Sequence, residues 1–426
     1  MIEPVISAAA RALDSADELA SLRARFHLPL AADGKPAIYL CGNSLGPQPI
    51  GAGAAVQQVM TDWATLAVRG HHEGRAPWLR FHEQFAAPLA ELVGAQAHEV
   101  VAMNSLTVNL HLMLVSFFRP TASRHRVLIE RPAFPSDRHA VVSHLLYHGL
   151  EPERSLLEVG PPAGEDLLQT ADILAAIETA GESLALVLLP GVQYLTGQVL
   201  DGAAITAAAR RQGACVGWDL AHAIGNVPLS LHDCGADFAV WCHYKYLCAG
   251  PGAVGGAFVH ARHGAGRDLP RYAGWWGHDL ASRFEMGPHH RPSPGADGWQ
   301  LSNPPILSLA PLAAALEIYR DADMARLRAK SLRLTAHARL LIKQQCAASV
   351  TVLTPVPDAE RGCQLSLRIA GGAGAGRRVH AELMHHGVIC DWREPDVIRI
   401  APSPLYNSFA ELDQAIGLLA AALAAR

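Results

Sequence analysis

Metal- or redox-type cysteine pairs, a basic stripe and a membrane-length apolar run are all missing from this 426-residue chain. Without an uninterrupted apolar stretch of ~20 residues, no bilayer span is expected. Lys and Arg number 35 against 39 Asp and Glu, a net charge of −4 with no long run of either sign. Such a surface does not neutralise phosphates, so nucleic acid is not an expected partner. The eight cysteines are scattered and include no CxxC; they read as small buried hydrophobes of a reducing compartment. The 22 histidines contain no HExxH, and His144 and His148, four apart, lack a third clustered ligand. No metal site is expected. The N-terminus carries acids early and has neither a basic leader nor a continuous apolar segment, so it does not read as a secretory signal, and a cytoplasmic location is expected. No GxGxxG follows a strand and opens a helix, which disfavours a nicotinamide-dependent oxidoreductase.

What is present is apolar mass. Half the residues are hydrophobic, 17% are charged and 6% are aromatic. That mixture buries a large core and excludes a disordered chain, a disulfide mini-protein and a coiled coil. At about 150 residues per domain the length allows two or three domains. Residues 1–50 read as a helix and a turn-rich lead-in, IYLCGNSLGPQP. From 51 to 310, short apolar runs alternate with helical periods. Strands are predicted at Val100–Met103, Arg126–Ile129, Leu184–Leu189, Ala214–Trp218, Phe238–Trp241 and Val254–Val259, with helices such as Val141–His148 and Ala203–Arg211 between them. The alternation predicts an α/β fold whose mostly parallel sheet lies between helices. Residues 311–426 predict a smaller α/β domain. A long helical stretch from Ile306 to Cys346 is broken near Pro311 and Asp321–Asp323. A strand at Gln364–Ile369, a helix near Arg377–His386, a strand at Val397–Ile400 and a closing helix at Phe409–Ala425 follow. The glycine-rich patch at 371–376 lacks phosphate-loop spacing and reads as a flexible connection.

Chemistry concentrates between Trp218 and Gly256. One apolar strand ends in Asp219, and 26 residues later a second runs into Lys245. A carboxylate and a lysine at successive strand ends can converge where parallel sheets bind ligands. Pyridoxal phosphate chemistry needs that pairing: the lysine binds the aldehyde, and the acid keeps the pyridine nitrogen protonated. A surface lysine and an N-capping aspartate would also fit. Asn104–Asn109 follows a strand and opens a helix, so its N–H groups and the Thr107 hydroxyl can bind an anion, unless Asn104 or Ser105 simply caps the helix. Beyond Ile129, Phe134 can stack on a planar ring and Asp137 can share the task at its nitrogen; a core phenylalanine before a helix cap is the plainer alternative.

Over nearly its whole length the chain resembles the kynureninase family, through YLCGNSLGPQP, HHEGRAPW, NSLTVNLHLMLVSFFRPT, FPSD, WDLAHAIGNVPLSLHDCGADFAVWCHYKYL, GWWGHDLASRF, LSNPPIL, GVICDWREP and IRIAPSPLYNSF. The resemblance implies the pyridoxal-phosphate fold type I of aspartate aminotransferase, and hydrolysis of the Cβ–Cγ bond of L-kynurenine or 3-hydroxy-L-kynurenine to an anthranilate and L-alanine. It implies that Lys245 carries the cofactor, with Asp219 at the ring nitrogen, Asp137 nearby and Phe134 stacked. Leu106, Thr107 and Tyr244 reach the phosphate, Pro135 and Ser136 belong to the same cofactor-binding stretch, and His222 contacts the cofactor. Trp275 and Asn303 complete the site across a homodimer interface. His71, Ser302 and Asn303 line the aryl pocket, and Arg399 clamps the substrate carboxylate. Tyr244 and Lys245 are the acid–base candidates for the hydrolytic water. Two departures stand out: Pro190, where the family places a small hydroxyl residue, and Cys248, where it commonly has an amide. The alternative within enzymes is a related lyase such as a cysteine desulfurase, which would need a mobile nucleophilic cysteine. A scaffold that kept the fold would have no use for an intact Lys245, Asp219 and Arg399.

Overall fold

The structure, a computed structural model, describes residues 6–264 and 269–425. Its central sheet has seven strands in the order Val100–Ala102, Gly255–Val259, Phe238–Cys242, Cys215–Asp219, Leu184–Pro190, Arg126–Glu130 and Leu156–Val159. The last five pair in parallel, whereas Gly255–Val259 runs antiparallel to both neighbours. Parallel neighbours need crossovers, and the helices Pro135–Tyr147, Thr170–Ala180 and Gly202–Arg211 supply them. Both faces are therefore covered and apolar. Along Leu184–Pro190, Val187 and Leu189 join one core cluster while Leu186 and Leu188 join the cluster on the other side. All six predicted strands are present. Leu156–Val159 escapes sequence reading because it is a short edge strand with an exposed Glu158 and only half-buried apolar residues.

A second core gathers residues from both chain ends. The helix Ala8–Ser15 packs on Phe409–Ala424, and Ile38–Tyr39 pairs with Val388–Ile389. A four-stranded sheet in the order Val350–Val352, Leu365–Ile369, Val397–Ile400, Asp391–Arg393 lies under the helices Met324–Gln345, Gly372–His385 and Phe409–Ala424. The long helical stretch divides at Asp323, which adopts φ +66 and caps the second helix by accepting from Ala325 and Arg326 N–H groups. Pro311 does not break the chain; it lies inside the helix Ile306–Ala322. The glycine patch corrects the sequence reading, since it forms the first turns of Gly372–His385 rather than a flexible connection. A Cβ on Gly376 would stand 2.5 Å from the Trp392 ring, so close packing rather than mobility requires glycine there.

The parallel strands deliver Glu130, Pro190 and Asp219 to one sheet edge, with Pro190 directly opposite Asp219. Two residues before Asp219, Gly217 makes room for Phe238: a Cβ there would lie 2.1 Å from that fully buried ring. Gly217→Val is expected to cost about 1–3 kcal/mol by overpacking and to lower the thermal midpoint. Combining it with Phe238→Leu should recover part of the loss; no recovery in the double variant would show that the clash is not with this ring.

Candidate active site

At the C-terminal strand edge a cavity of about 280 Å³ is walled by residues from strands, helix starts and the N-terminal lead-in. It brings together Leu106, Thr107, Phe134, Ser136, Asp137, Asp219, His222, Tyr244 and Lys245. Asp219 is held at its strand end by the Ala221 N–H, which donates to Oδ1 at 2.6 Å. Burial raises the affinity of this carboxyl for its proton, partly offset by that N–H, by Asp137 and by Lys245. Asp137 is pushed up further, first by burial and then by the charge of Asp219. The two behave as one pair: Asp137 keeps a proton and Asp219 is the member that ionises. Glu130, on the same edge, is raised to about 8, chiefly by burial.

Lys245 Nζ lies 3.0 Å from His222 Nε2 and 5.9 Å from the centre of the Phe134 ring. An ammonium only donates, so Nε2 accepts and the imidazole carries its proton on Nδ1. Burial, then the charges of Lys245 and the nearby arginines, hold His222 well below the usual imidazole range and keep it neutral. Its Nδ1 is buried without a hydrogen-bond partner, as is Asp137 Oδ1. Asn43 Oδ1, from the same wall, is a third; unpaired buried polar atoms are costly, and a cavity with three of them is built for a polar guest.

Two helix starts meet at the other end of the cavity. Leu106–Phe117 and Pro135–Tyr147 both begin without a side-chain cap, and the Thr107 and Ser136 hydroxyls lie 2.9 Å apart between them. Simple capping is thereby set aside: Asn104 instead donates to Asn109, at 3.0 Å. Uncapped N–H groups, two hydroxyls and two helix dipoles suit a phosphate. Pro135 is the first helical residue and does not line the cavity; it starts the helix that positions Ser136 and Asp137. Pro190 reaches the wall but has no N–H to offer.

Arg399 is fully buried behind the cavity. Its Nε donates to Asp391 at 2.6 Å, Nη2 donates to the same carboxylate, and Nη1 donates to the Tyr194 carbonyl at 2.5 Å. The arginine on the wall is Arg393, which shares Asp391 with Arg399. Sequence reading missed Arg393, as well as Glu130, Val192, Tyr194 and the pair Asn43 and Ser44. The last two sit in YLCGNSLGPQP, whose quoted resemblance was the available signal. Tyr194 packs edge-on against Phe134, centres 5.4 Å apart.

His71, Trp275, Ser302 and Asn303 lie outside this cavity. His71 stands edge-on to Trp78, at 5.5 Å. Trp275 is 44% exposed, and Ser302 and Asn303 are exposed beside it, where Trp276 N–H donates to the Leu301 carbonyl. Cys248 is buried against Gly46, and burial pushes its thiol up, so it is neither mobile nor a thiolate. His144 pairs with His111, at 3.0 Å. Glu99, His232 and His260 also converge, but hydrogen bonds account for them. Glu99 accepts from the Gln96 and Ala261 N–H groups, and His260 Nδ1 accepts from the Arg262 N–H.

Residues 327–419 match the family model described as the kynureninase C-terminal domain. The chain is 56% identical over 416 residues to the kynureninase of Xanthomonas campestris pv. campestris strain B100, covering 98% of each chain. It is 57% identical over 412 residues to that of Xanthomonas axonopodis pv. citri, covering 97% of each. Among solved structures, it superposes on a cysteine desulfurase from Thermococcus onnurineus NA1 with a TM-score of 0.73 at 16% identity, covering 92% of this chain and 95% of that one. For the Escherichia coli cysteine desulfurase CsdA the score is 0.75 at 16% identity, covering 96% and 98%. Those distant likenesses establish the fold, that of the fold type I pyridoxal-phosphate enzymes. The near-full-length identities go further: the chain belongs to the kynureninase family.

Proposed function

We propose that this chain hydrolyses the Cβ–Cγ bond of L-kynurenine or its 3-hydroxy form, using pyridoxal 5′-phosphate. The observation that carries the reading is the buried Asp219–Asp137 pair sharing one cavity with Lys245, in a chain 56% identical to kynureninases along its length. The residues fit the cofactor, since the uncapped helix starts suit its phosphate and the cavity holds orphaned polar atoms. Bound through Lys245, it supplies an electron sink beside the substrate α-carbon.

Asp219 would keep the pyridine nitrogen protonated, with Asp137 beside it as a neutral donor. Phe134, on the cavity wall, would cover one face of the ring and exclude water there. Lys245 Nζ would take the α-proton; His222 Nε2, 3.0 Å away, accepts from that nitrogen and orients it. Tyr244, whose phenol burial keeps protonated, and Lys245 serve as acid and base for the water at the γ-carbonyl. Three of the five Arg399 N–H groups are engaged, leaving two for the substrate carboxylate, with Arg393 on the wall beside it.

The same reading takes two copies. His71, Trp275, Ser302 and Asn303 lie outside their own protomer's cavity and would serve the partner's. A face that exposes Trp63 and Leu307 around an apolar groove lined by Val59, Trp78 and Ile306 supports a second copy. Eight free cysteines support a reducing, cytoplasmic setting. No helix of the described residues is long and apolar enough to cross a membrane.

Lys245→Ala is expected to abolish the borohydride-reducible visible absorbance; a surviving covalent chromophore would place the cofactor on another lysine. Asp137→Asn mimics an acid that is already protonated and should retain most turnover, whereas Asp219→Asn should lose on the order of a hundredfold or more in kcat. Equal losses would show that the two acids are not divided in this way. Arg399→Ala should raise KM at least about tenfold with cofactor absorbance unchanged, and unaltered kinetics would remove it from the carboxylate site.

A further inference from the structure

The segment Gly274–Gly277 lies flush against the chain that leads to Ser302 and Asn303. An added Cβ would stand 2.2 Å from the Leu301 carbonyl oxygen at Gly274, and 2.4 Å from that of Gln300 at Gly277. One side chain ties the segment together. Arg283 is buried, and its Nη2 donates to the Trp276 carbonyl at 2.6 Å and to that of His278 at 2.9 Å. Its Nε donates to His278 as well, at 3.2 Å, and its guanidinium lies over the Trp276 ring, 4.7 Å from the centre. The Arg283 carbonyl in turn accepts from the Trp275 indole N–H at 3.2 Å, and the next residue, Phe284, meets the Trp275 ring edge-on at 5.5 Å.

A guanidinium is costly to bury, and this one directs its donors to two main-chain carbonyls of a single turn. The turn it fixes carries Trp275, whose ring is held by the Arg283 main-chain carbonyl and Phe284, stays 44% exposed and does not line its own protomer's cavity. A flexible surface turn could not hold that ring in one orientation. Fixing it before a partner arrives lowers the ordering cost of assembly.

We infer that Arg283 is a positioning residue that acts in trans: it presets Trp275 for the cavity of the partner subunit and contributes nothing to its own. This rests on the two-copy reading above. The planar fork matters as well as the charge, because a lysine has no two-pronged geometry with which to bridge both carbonyls.

The test uses cofactor-loaded heterodimers, co-expressed with two different tags and purified through both. The Arg283→Ala homodimer should lose on the order of tenfold to a hundredfold in kcat/KM through misplacement of a contact at the reacting site. A dimer pairing an Arg283→Ala protomer with a Lys245→Ala protomer contains one cavity with an intact lysine served by an intact arginine, and should recover about half the wild-type rate per dimer. A dimer pairing wild type with a protomer carrying both substitutions has the same composition, yet its lysine-bearing cavity is served by the altered segment; it should stay impaired. Equal activity in the two dimers, or the reverse order, would overturn the inference. Trp275→Ala paired with Lys245→Ala separates the two levels. Recovery there without recovery for Arg283 would reject the role of Arg283 alone, and no recovery there would reject the shared-site reading and the inference together. Arg283→Lys carries the same comparison if the alanine protein does not fold, with a smaller expected loss.

Discussion

Everything at the cavity follows from placing Asp219 and Lys245 in one desolvated space. Three carboxyl groups crowd the strand edge, and burial penalises the ionisation of each. Asp219, which also accepts from the Ala221 N–H and from Asp137, is the one that ionises. Asp137 therefore stays neutral beside Asp219, and the neutral His222 can accept from Lys245 because a second cation there would be repelled. Parallel strands are what make this possible, since they bring successive chain segments to the same edge with the same polarity. The antiparallel Gly255–Val259 is an exception that leaves the arrangement intact, because it follows the lysine and lies outside the parallel set, between Phe238–Cys242 and the edge strand Val100–Ala102.

The distant fold neighbours show what the scaffold leaves open. A shared fold at 16% identity is compatible with different chemistries, so the reaction must be read from side chains. Here the desulfurase reading fails on a specific group. Cys248 is packed against Gly46 and Tyr246, with its thiol held protonated by burial, and it has neither the reach nor the ionisation for sulfur transfer. The same close packing accounts for its presence: a compact, weakly polar side chain fits beside the glycine of the lead-in.

Legibility in the sequence followed the range of the physics. Strand positions were readable because each is a continuous apolar run, and Asp219, Lys245, Thr107 and Phe134 because each sits at a run's end. Asp391, by contrast, is eight residues from Arg399 in sequence but directly across an antiparallel pair. Nothing in the composition announces that it would occupy the guanidinium and leave Arg393 at the wall. Glu130 lies one residue past the strand read at Arg126–Ile129, and only the neighbouring strand ends reveal it as the third acid. Trp275 and Asn303 could be named only from resemblance, because the partner they would meet is absent from a single chain's own contacts. The glycine patch misled for a related reason: Trp392, sixteen residues beyond Gly376, decides that small residues belong there.

The two helix starts without caps carry a metabolic consequence. These starts, with the orphaned atoms of His222 and Asp137, leave polar groups at the cavity whose hydrogen bonds a guest can complete. Occupancy by the vitamin-derived guest then adds to folding stability through ligand linkage, by about 2.7 kcal/mol when the free ligand stands at a hundred times its dissociation constant. Folding stability thus becomes coupled to cofactor supply: a loaded chain opens less often than an empty one.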